Sequence, residues 1–458
     1  MALTYFGNNE EYVLNHYRAR KLGSGHVVTN DYGSWVYLTD EEYMDLKKEK
    51  INGPLFSVLK EKGFILKNDN IKQVIEEHRE KCKYLFQGTS LHIVVPTLRC
   101  NMKCVYCHAK AKPVTRRGYD MDEKTAKKIV DFIFQSPSKD IMIEFQGGEP
   151  LLNFDIVKYI VEYANEKNFI EEKNLSFDIV TNLVDMTDDK LDFLVENKVG
   201  ICTSLDGPEI VQNKNRANYK KTVKWVKKLK KDNHVQAMLL VTKHSLPFHK
   251  EIVDEYLKLG LPKIWIKPVN KLGYALDNWS KIGITAEEFL DFYKKALDYI
   301  VKKNKEIIFP ENHTTIFLRK ILTKKCVNYT DMESPCGAAI AQLAYSYDGS
   351  IYTCDEGRLY DIFKLGTIEQ KYPEIVTSSS ACSVVRASIN DNPVCELCAY
   401  KPMCGLCPVC SYAERGNIIS KLPDHRCDIL IGMFDHIFDK LVNDEEYRNV
   451  FMKWIDAD

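Results

Sequence analysis

Between residue 90 and about residue 303, short apolar runs alternate with amphipathic stretches. LHIVV (91–95), IMIEF (141–145), LSFDIVT (175–181), VGICTSL (199–205), VQAMLLV (235–241) and KIWIK (263–267) have the length and composition of buried strands. Each is followed by a helical pattern. In DEKTAKKIVDFIF, for example, Ala126, Ile129, Val130 and Ile133 recur at helical spacing. Strand-then-helix alternation predicts an α/β fold with a parallel sheet covered by helices. Six units suit a partial barrel better than a closed eight-stranded one.

The flanks read differently. Residues 1–86 form a small α+β unit. HVVTNDYGSWVYL gives two short strands around the turn Asn30-Asp31-Tyr32-Gly33, and Thr39 is placed to cap a helix over TDEEYMDLKKEK. GPLFSVLKEKGFIL and NIKQVIEEHREKCKY continue as helices. Residues 87–310 are the barrel and 311–458 a C-terminal unit. From about 326 to 430 the chain is rich in Cys, Gly and Pro, and this stretch is expected to need metal to fold. The tail DILIGMFDHIFDKLVNDEEYRNVFMKWI predicts one or two closing helices.

Composition narrows the function. Lys+Arg and Asp+Glu both number 64, so bulk positive potential for nucleic acid is missing. No run reaches the roughly 18 apolar residues of a membrane span, and the polar N-terminus lacks a signal-peptide core. A cytoplasmic protein is expected, with no nucleic-acid or membrane partner. In that reducing compartment, 15 clustered cysteines favour metal ligands over disulfides.

In RCNMKCVYCHA, Cys100, Cys104 and Cys107 follow C-x3-C-x2-C directly after the first barrel strand. Three thiolates can hold three irons of a 4Fe-4S cluster and leave the fourth open to a ligand. The blander readings are a buried helical face of cysteines or a zinc site completed by His108. In FQGGEPLLN, Gly147 and Gly148 permit close backbone approach to a ligand. Glu149, before Pro150, offers a carboxylate at the strand's C-terminal end, where barrel active sites gather. The next strands end in Thr181-Asn182 and in Ser204-Leu205-Asp206, where Ser204 and Asp206 would share a face.

These motifs resemble the radical S-adenosylmethionine (SAM) superfamily, whose signature C-x3-C-x-aromatic-C has Tyr106 in the aromatic place. The resemblance implies a (β/α)6 radical SAM barrel. The amino and carboxylate groups of S-adenosylmethionine would chelate the open iron, and Tyr106 would lie beside the adenine. Gly147, Gly148, Glu149 and Pro150 would contact the methionine amino group. Thr181, Asn182 and Ser204 would face ribose, carboxylate or substrate; Asp206, at the exit of the fourth strand, is expected to act in proton transfer or substrate positioning. The family's later glycine-rich strand motif is not visible in VQAMLLVTKHS.

The C-terminal cysteines resemble a SPASM domain with two auxiliary 4Fe-4S clusters. Cys336, Gly349 and Cys354 follow C-x12-G-x4-C, and Cys395, Cys398 and Cys404 continue it; Cys407 then comes at x2 rather than x3, and Cys410 is extra. The expected partition gives Cys395, Cys398, Cys404 and Cys427 to one cluster, and Cys336, Cys354, Cys407 and either Cys326 or Cys410 to the other. A pair of zinc sites is the alternative. Cys82, Cys202 and Cys382 have no neighbours at ligand spacing, and Cys202 reads as a buried hydrophobe.

The resemblance covers residues 90–430 and implies radical modification of a precursor peptide or protein. The closest family is the maturases of His-Xaa-Ser peptide systems, on VVTNDYGSWVYLTDEEY, LKEKGFI and CGLCPV. An anaerobic sulfatase maturase, or a noncatalytic iron–sulfur or zinc module, are the competing readings. A low-potential electron donor such as flavodoxin or ferredoxin is an implied partner.

Overall fold

The computed structural model describes residues 12–229, 235–323, 325–327, 329, 332–418 and 425–456. The polar N-terminal residues 1–11 and the lysines just after Leu229 lie outside the described residues.

All six expected barrel strands are present: Leu91–Thr97, Asp140–Gly147, Asn174–Thr181, Gly200–Ser204, Val235–Val241 and Ile266–Pro268. They are parallel and neighbour one another in chain order. Alternation along each strand separates two faces. Ile141, Ile143, Phe145, Ile179, Ile201 and Leu239 are buried in one core with Ile129, Val130 and Ile133 of the first outer helix, Glu123–Ile133. Burying each large aliphatic side chain stabilises the layer by roughly 1.5–3 kcal/mol. Asp122 caps that helix by accepting from the Thr125 amide at 2.8 Å. The other strand face is polar. Glu144, Asp178 and Lys267 point into the barrel, and their charges act on Cys202. Burial is the chief cause that raises the Cys202 thiol, and the residue keeps some exposure on this polar face.

The sheet does not end with the barrel. Gln342–Tyr345 pairs parallel to Leu91–Thr97, and Ser350–Tyr352 and Lys364–Thr367 add antiparallel strands, making nine. Leu343, Tyr345 and Ile351 are fully buried. The cysteine-rich region therefore obtains a core by extending the barrel sheet, which its Cys-, Gly- and Pro-rich composition concealed. The tail forms two helices, His425–Asn443 and Glu445–Asp456, packed on Ala286–Lys303. Phe434 meets Phe317 with ring centroids 4.4 Å apart, and the Trp454 indole donates to Asn304 at 2.9 Å.

At the N-terminus, Gly25–Asn30 and Trp35–Thr39 pair as expected, with Gly33 at φ +78° in the turn. Thr39 and Glu42 form a capping box on the helix Asp40–Lys47. A further outer strand, Tyr17–Leu22, precedes them. Its YRARKL sequence shows no apolar alternation, because its inward Arg18 is buried through ion pairs. Arg18 reaches Asp31 at 2.5 Å, and the Glu396 carboxylate at 2.7 Å and carbonyl at 2.8 Å. Thr29 donates to the Ala399 carbonyl at 2.6 Å, Arg20 pairs with Asp435, and the Trp35 indole donates to Ile321 at 2.9 Å. The N-terminal sheet is thus fastened to the Cys395–Cys404 segment, and a truncation near Gly88 would strip that segment of its cover.

Arg18→Ala is expected to lower the unfolding free energy by about 2 kcal/mol, the range for hydrogen bonds to charged groups. Urea denaturation checks this, and a loss under about 0.5 kcal/mol would show that the fastening is superficial.

Candidate active site: a thiol loop at the mouth of the barrel

The loop carrying Cys100, Cys104 and Cys107 leaves the first strand at its C-terminal end and is held from three sides. Beneath it, the Gly148 and Glu149 amides donate to the Thr97 and Arg99 carbonyls at 2.9 and 2.8 Å. A Cβ on Gly147 or Gly148 would collide with those same carbonyls. The two glycines therefore let two stretches of the protein's own backbone approach closely beneath the loop. On one flank the Val105 amide donates to Asn215 at 2.9 Å. On the other, Tyr274 donates to the Cys107 carbonyl at 2.9 Å and the Asn278 amide side chain to the Val105 carbonyl at 2.8 Å. Gly273, at φ +56°, passes against Cys107 and His108 where no side chain fits.

Glu149 ties this floor to the third strand. Its carboxylate accepts from the Thr181 hydroxyl at 2.6 Å, the Asn182 amide at 2.8 Å and the Leu151 amide at 3.2 Å. Burial raises it to about 7 against these bonds. The Asn182 side chain donates to Asn101 at 2.8 Å and lies 3.8 Å from the Cys100 sulfur. Pro150 is buried and opens the turn behind Glu149.

Burial pushes the Cys100 thiol up to about 12 and Cys104 to about 11, and the charges of neighbouring thiols add to both. Holding them as thiolates therefore needs positive partners. The Met102 amide points at the Cys100 sulfur at 3.4 Å, and Arg216 Nη1 lies 3.9 Å from the Cys104 sulfur.

Asp206 differs from expectation. The strand ends at Ser204, and the chain turns so that Ser204 keeps some exposure while Asp206 is fully buried. Asp206 accepts from the Tyr106 hydroxyl and from the Leu240 amide at 3.2 Å. Its oxygen also lies 3.4 Å from Arg216 Nε. The Arg216 guanidinium sits 4.8 Å from the Tyr106 ring centre. Asp206 therefore anchors Tyr106 and Arg216 under the loop, with no exposed surface of its own. Arg216 was missed because it is embedded in a lysine-rich run.

The C-terminal cysteines fall into two groups. Cys336, Cys354, Cys407 and Cys410 line one cavity of about 70 Å³, which Cys404 also borders. Their sulfurs also meet N–H donors: Ala338 at 3.5 Å, Gly357 at 3.3 Å, the Cys410 amide at 3.5 Å and Arg426 at 3.3 Å, respectively. The hydrogen bond from Cys410 lowers the Cys407 thiol to about 7 against the cost of burial, with Arg426 assisting. Cys326 does not line the cavity; its charge acts on Cys82, Lys83 and Tyr84. Of the two candidates for the fourth place, the structure brings in Cys410. Burial raises Cys404 to about 12, and the charges of Cys398, Cys427 and Cys395, the other members of the second expected group, add to this. Asn392 donates to the Cys395 sulfur at 3.1 Å. Among the described residues no three His, Cys, Asp or Glu side chains close on a point as they would around one metal ion.

One contact joins the loop to the first C-terminal group. His108 Nε2 lies 2.6 Å from an Asp355 oxygen, and Asp355 also pairs with Arg358. Burial opposes both charges, yet the pairing lifts His108 and holds Asp355 well below the carboxylate range. His108 is thus engaged with Asp355 rather than completing a four-ligand site with the loop cysteines. Nothing in the sequence singled out Asp355 beyond its place after Cys354.

The site is a three-thiol loop over a partial barrel, with two further four-thiol groups beside it. Residues 94–258 match the Radical SAM superfamily. That match spans most of the barrel strands, and the likeness to solved structures is one of fold. It is similar to the radical SAM cyclopropyl synthase TigE of Paramaledivibacter caminithermalis, at 24% identity over 98% of this chain and 92% of that protein. The structure of native anSMEcpe with bound AdoMet superimposes with a TM-score of 0.66 at 18% identity, covering 79% of this chain and 100% of the other. Streptococcus suis SuiB bound to precursor peptide SuiA gives 0.57 at 14% identity, covering 90% and 100%.

Replacing Asp206 by Asn should leave the Arg216 charge buried without its counter-charge, a loss of roughly 3 kcal/mol. Thermal unfolding should show a lower midpoint, and the loop should retain iron less well after reconstitution. A variant as stable as the wild type would refute the anchoring role.

Proposed function

We propose that this protein reductively cleaves S-adenosylmethionine and uses the resulting radical to modify a precursor peptide or protein. The observation that carries this reading is the loop itself. Three thiols stand at the C-terminal mouth of the barrel, and the sulfurs of Cys100 and Cys104 are met by N–H donors or a guanidinium. A neutral thiol is a poor acceptor, so donors aimed at sulfur suit thiolates.

Cys100, Cys104 and Cys107 would hold a 4Fe-4S cluster with one open iron. When bound, that cluster supplies the single electron that splits S-adenosylmethionine into methionine and a 5′-deoxyadenosyl radical. The chain's own residues do the rest. Tyr106, fixed through Asp206, forms the buried wall beside the loop. Gly147, Gly148, Glu149 and Pro150 set its floor, and Thr181, Asn182 and Ser204 present polar strand ends at the same mouth. Cys336, Cys354, Cys407 and Cys410, and separately Cys395, Cys398, Cys404 and Cys427, would hold two auxiliary clusters. With Asp206 enclosed, the His108–Asp355 pair is the acid–base group placed between the loop and the first of these sets.

A peptide substrate is supported by the solved relatives, which include SuiB with SuiA and anSMEcpe with the Cp18Cys peptide. The N-terminal sheet would recognise part of that peptide. Among the described residues, Trp35–Thr39 pairs only with Gly25–Asn30, so its other edge can accept an extended chain. A sulfatase-maturase-like oxidation of a Cys or Ser is the second reading, favoured by the higher TM-score to anSMEcpe.

Anaerobic reconstitution should give about twelve irons per chain, four for each 4Fe-4S cluster. Replacing Cys100, Cys104 and Cys107 together by Ala should remove about a third of that iron and abolish 5′-deoxyadenosine formation under strong reductant. A triple variant that still makes 5′-deoxyadenosine would end the proposal, and tightly bound zinc in place of auxiliary iron would end the cluster assignment. Bound precursor should slow amide hydrogen exchange at Trp35–Thr39. Unchanged exchange there with bound peptide would reject recognition by this edge.

A further inference from the structure

Residues 210–231 contain eight lysines and one arginine and no Asp or Glu, in a chain whose Lys+Arg and Asp+Glu each total 64. Their described part covers most of the helix Glu209–Asn215, a short turn and the helix Tyr219–Leu229. Lys214, Lys220, Lys221, Lys224, Lys227 and Lys228 are exposed, while Thr222, Val223, Trp225, Val226 and Leu229 are buried. Few carboxylates offset this face. Glu209 lies 3.9 Å from Lys220, Asp188 pairs with Lys228, and the buried Glu255 accepts from Tyr219 and pairs with Lys258. A shallow recess lined by Pro208, Tyr219, Lys220, Lys224, Lys227 and Lys258 continues the patch.

The buried side of the same helix rests on the thiol loop. Thr222 donates to the Asn182 carbonyl at 3.0 Å, and the Asn182 side chain lies 3.8 Å from the Cys100 sulfur. The turn leading into the helix supplies the Asn215 carbonyl to Val105 and Arg216 to Cys104. One helix, about 10–12 Å thick, thus separates a concentrated positive surface from the loop that must receive an electron.

Resting on the radical SAM reading, we propose that the lysine face of Tyr219–Leu229 is the docking surface of an acidic flavodoxin-class electron carrier. Each productive encounter would remove one electron from the reduced carrier and deliver it to the group held by Cys100, Cys104 and Cys107. Complementary charge steers such encounters and sets their rate. Electron-transfer interfaces are small enough for one helix and its recess.

The test uses the full-length reconstituted protein carrying Lys220→Glu, Lys224→Glu and Lys227→Glu, with Lys220→Gln, Lys224→Gln and Lys227→Gln as a milder set. The probe is a reduced acidic flavodoxin, with its affinity measured at low and high salt. Reversal should weaken flavodoxin binding and flavodoxin-driven 5′-deoxyadenosine formation by about tenfold or more at low salt. Dithionite-driven formation should stay within about twofold, and neutralisation should fall between. Unchanged flavodoxin affinity would overturn the proposal. So would an equal loss when Lys294, Lys295 and Lys302 are reversed instead, or a loss of affinity only for an acidic precursor peptide. Dithionite-driven cleavage by the wild type tests the radical reading separately, because flavodoxin affinity is measured whether or not cleavage occurs.

Discussion

Burying a thiolate is the constraint on which the rest of this structure depends. Desolvation drives Cys100, Cys104 and Cys404 to about 11 or 12, so as thiols they would be inert. The fold answers with backbone amides at Cys100, Cys336, Cys354 and Cys407, and with guanidinium groups at Cys104 and Cys410. Each arginine then needs its own support, which is why Asp206 is buried beneath Arg216 and why Tyr106 is tied to Asp206. Donors aimed at these sulfurs suit anionic sulfur better than neutral thiols, which are poor acceptors.

The same demand explains why the three parts of the chain share structure. A cysteine-rich segment with few large apolar residues cannot bury enough surface alone. Here Gln342–Tyr345 joins the barrel sheet and obtains a ready-made core, with His92 Nδ1 lying 2.8 Å from the Tyr345 hydroxyl. The Cys395–Cys404 segment, which adds no strand, is covered by the N-terminal sheet through Arg18 and Thr29. Binding at that sheet is therefore mechanically connected to one thiol group.

Features governed by periodicity or by tight spacing were legible in the sequence. The six strands, the Thr39 cap and the three-cysteine loop follow from patterns local to a few residues. What escaped depends on contacts across the fold. Tyr17–Leu22 carries alternating charge because its partners, Asp31 and Glu396, lie elsewhere in the chain. Gly147 and Gly148 announce close approach, but only the structure shows that the neighbour is the Thr97–Arg99 backbone. Asp206 shares an alternation with Ser204, and the turn after the strand breaks it. The choice of Cys410 over Cys326 turns on where helix Pro408–Arg415 directs its first turn, which spacing alone leaves open.

Charge distribution follows from the same logic. The formal net charge is +0, yet the signs are segregated. Lysines crowd the outer face of Tyr219–Leu229, while Glu144, Asp178 and Glu149 lie inside or at the mouth of the barrel, where burial raises all three. Folding alone would not select this arrangement, because apolar side chains at those inner positions would cost less. Glu149 is accounted for by the bonds that lock the loop's floor. Glu144 and Asp178 face each other across adjacent strands in direct register, on the side of the sheet away from the helices. Two carboxylates so placed repel, and the lower-energy state is the one in which a proton or a cationic group stands between them. Gln146 donates to Glu144 and the charge of Lys267 opposes the repulsion, so the barrel interior supplies part of that compensation itself.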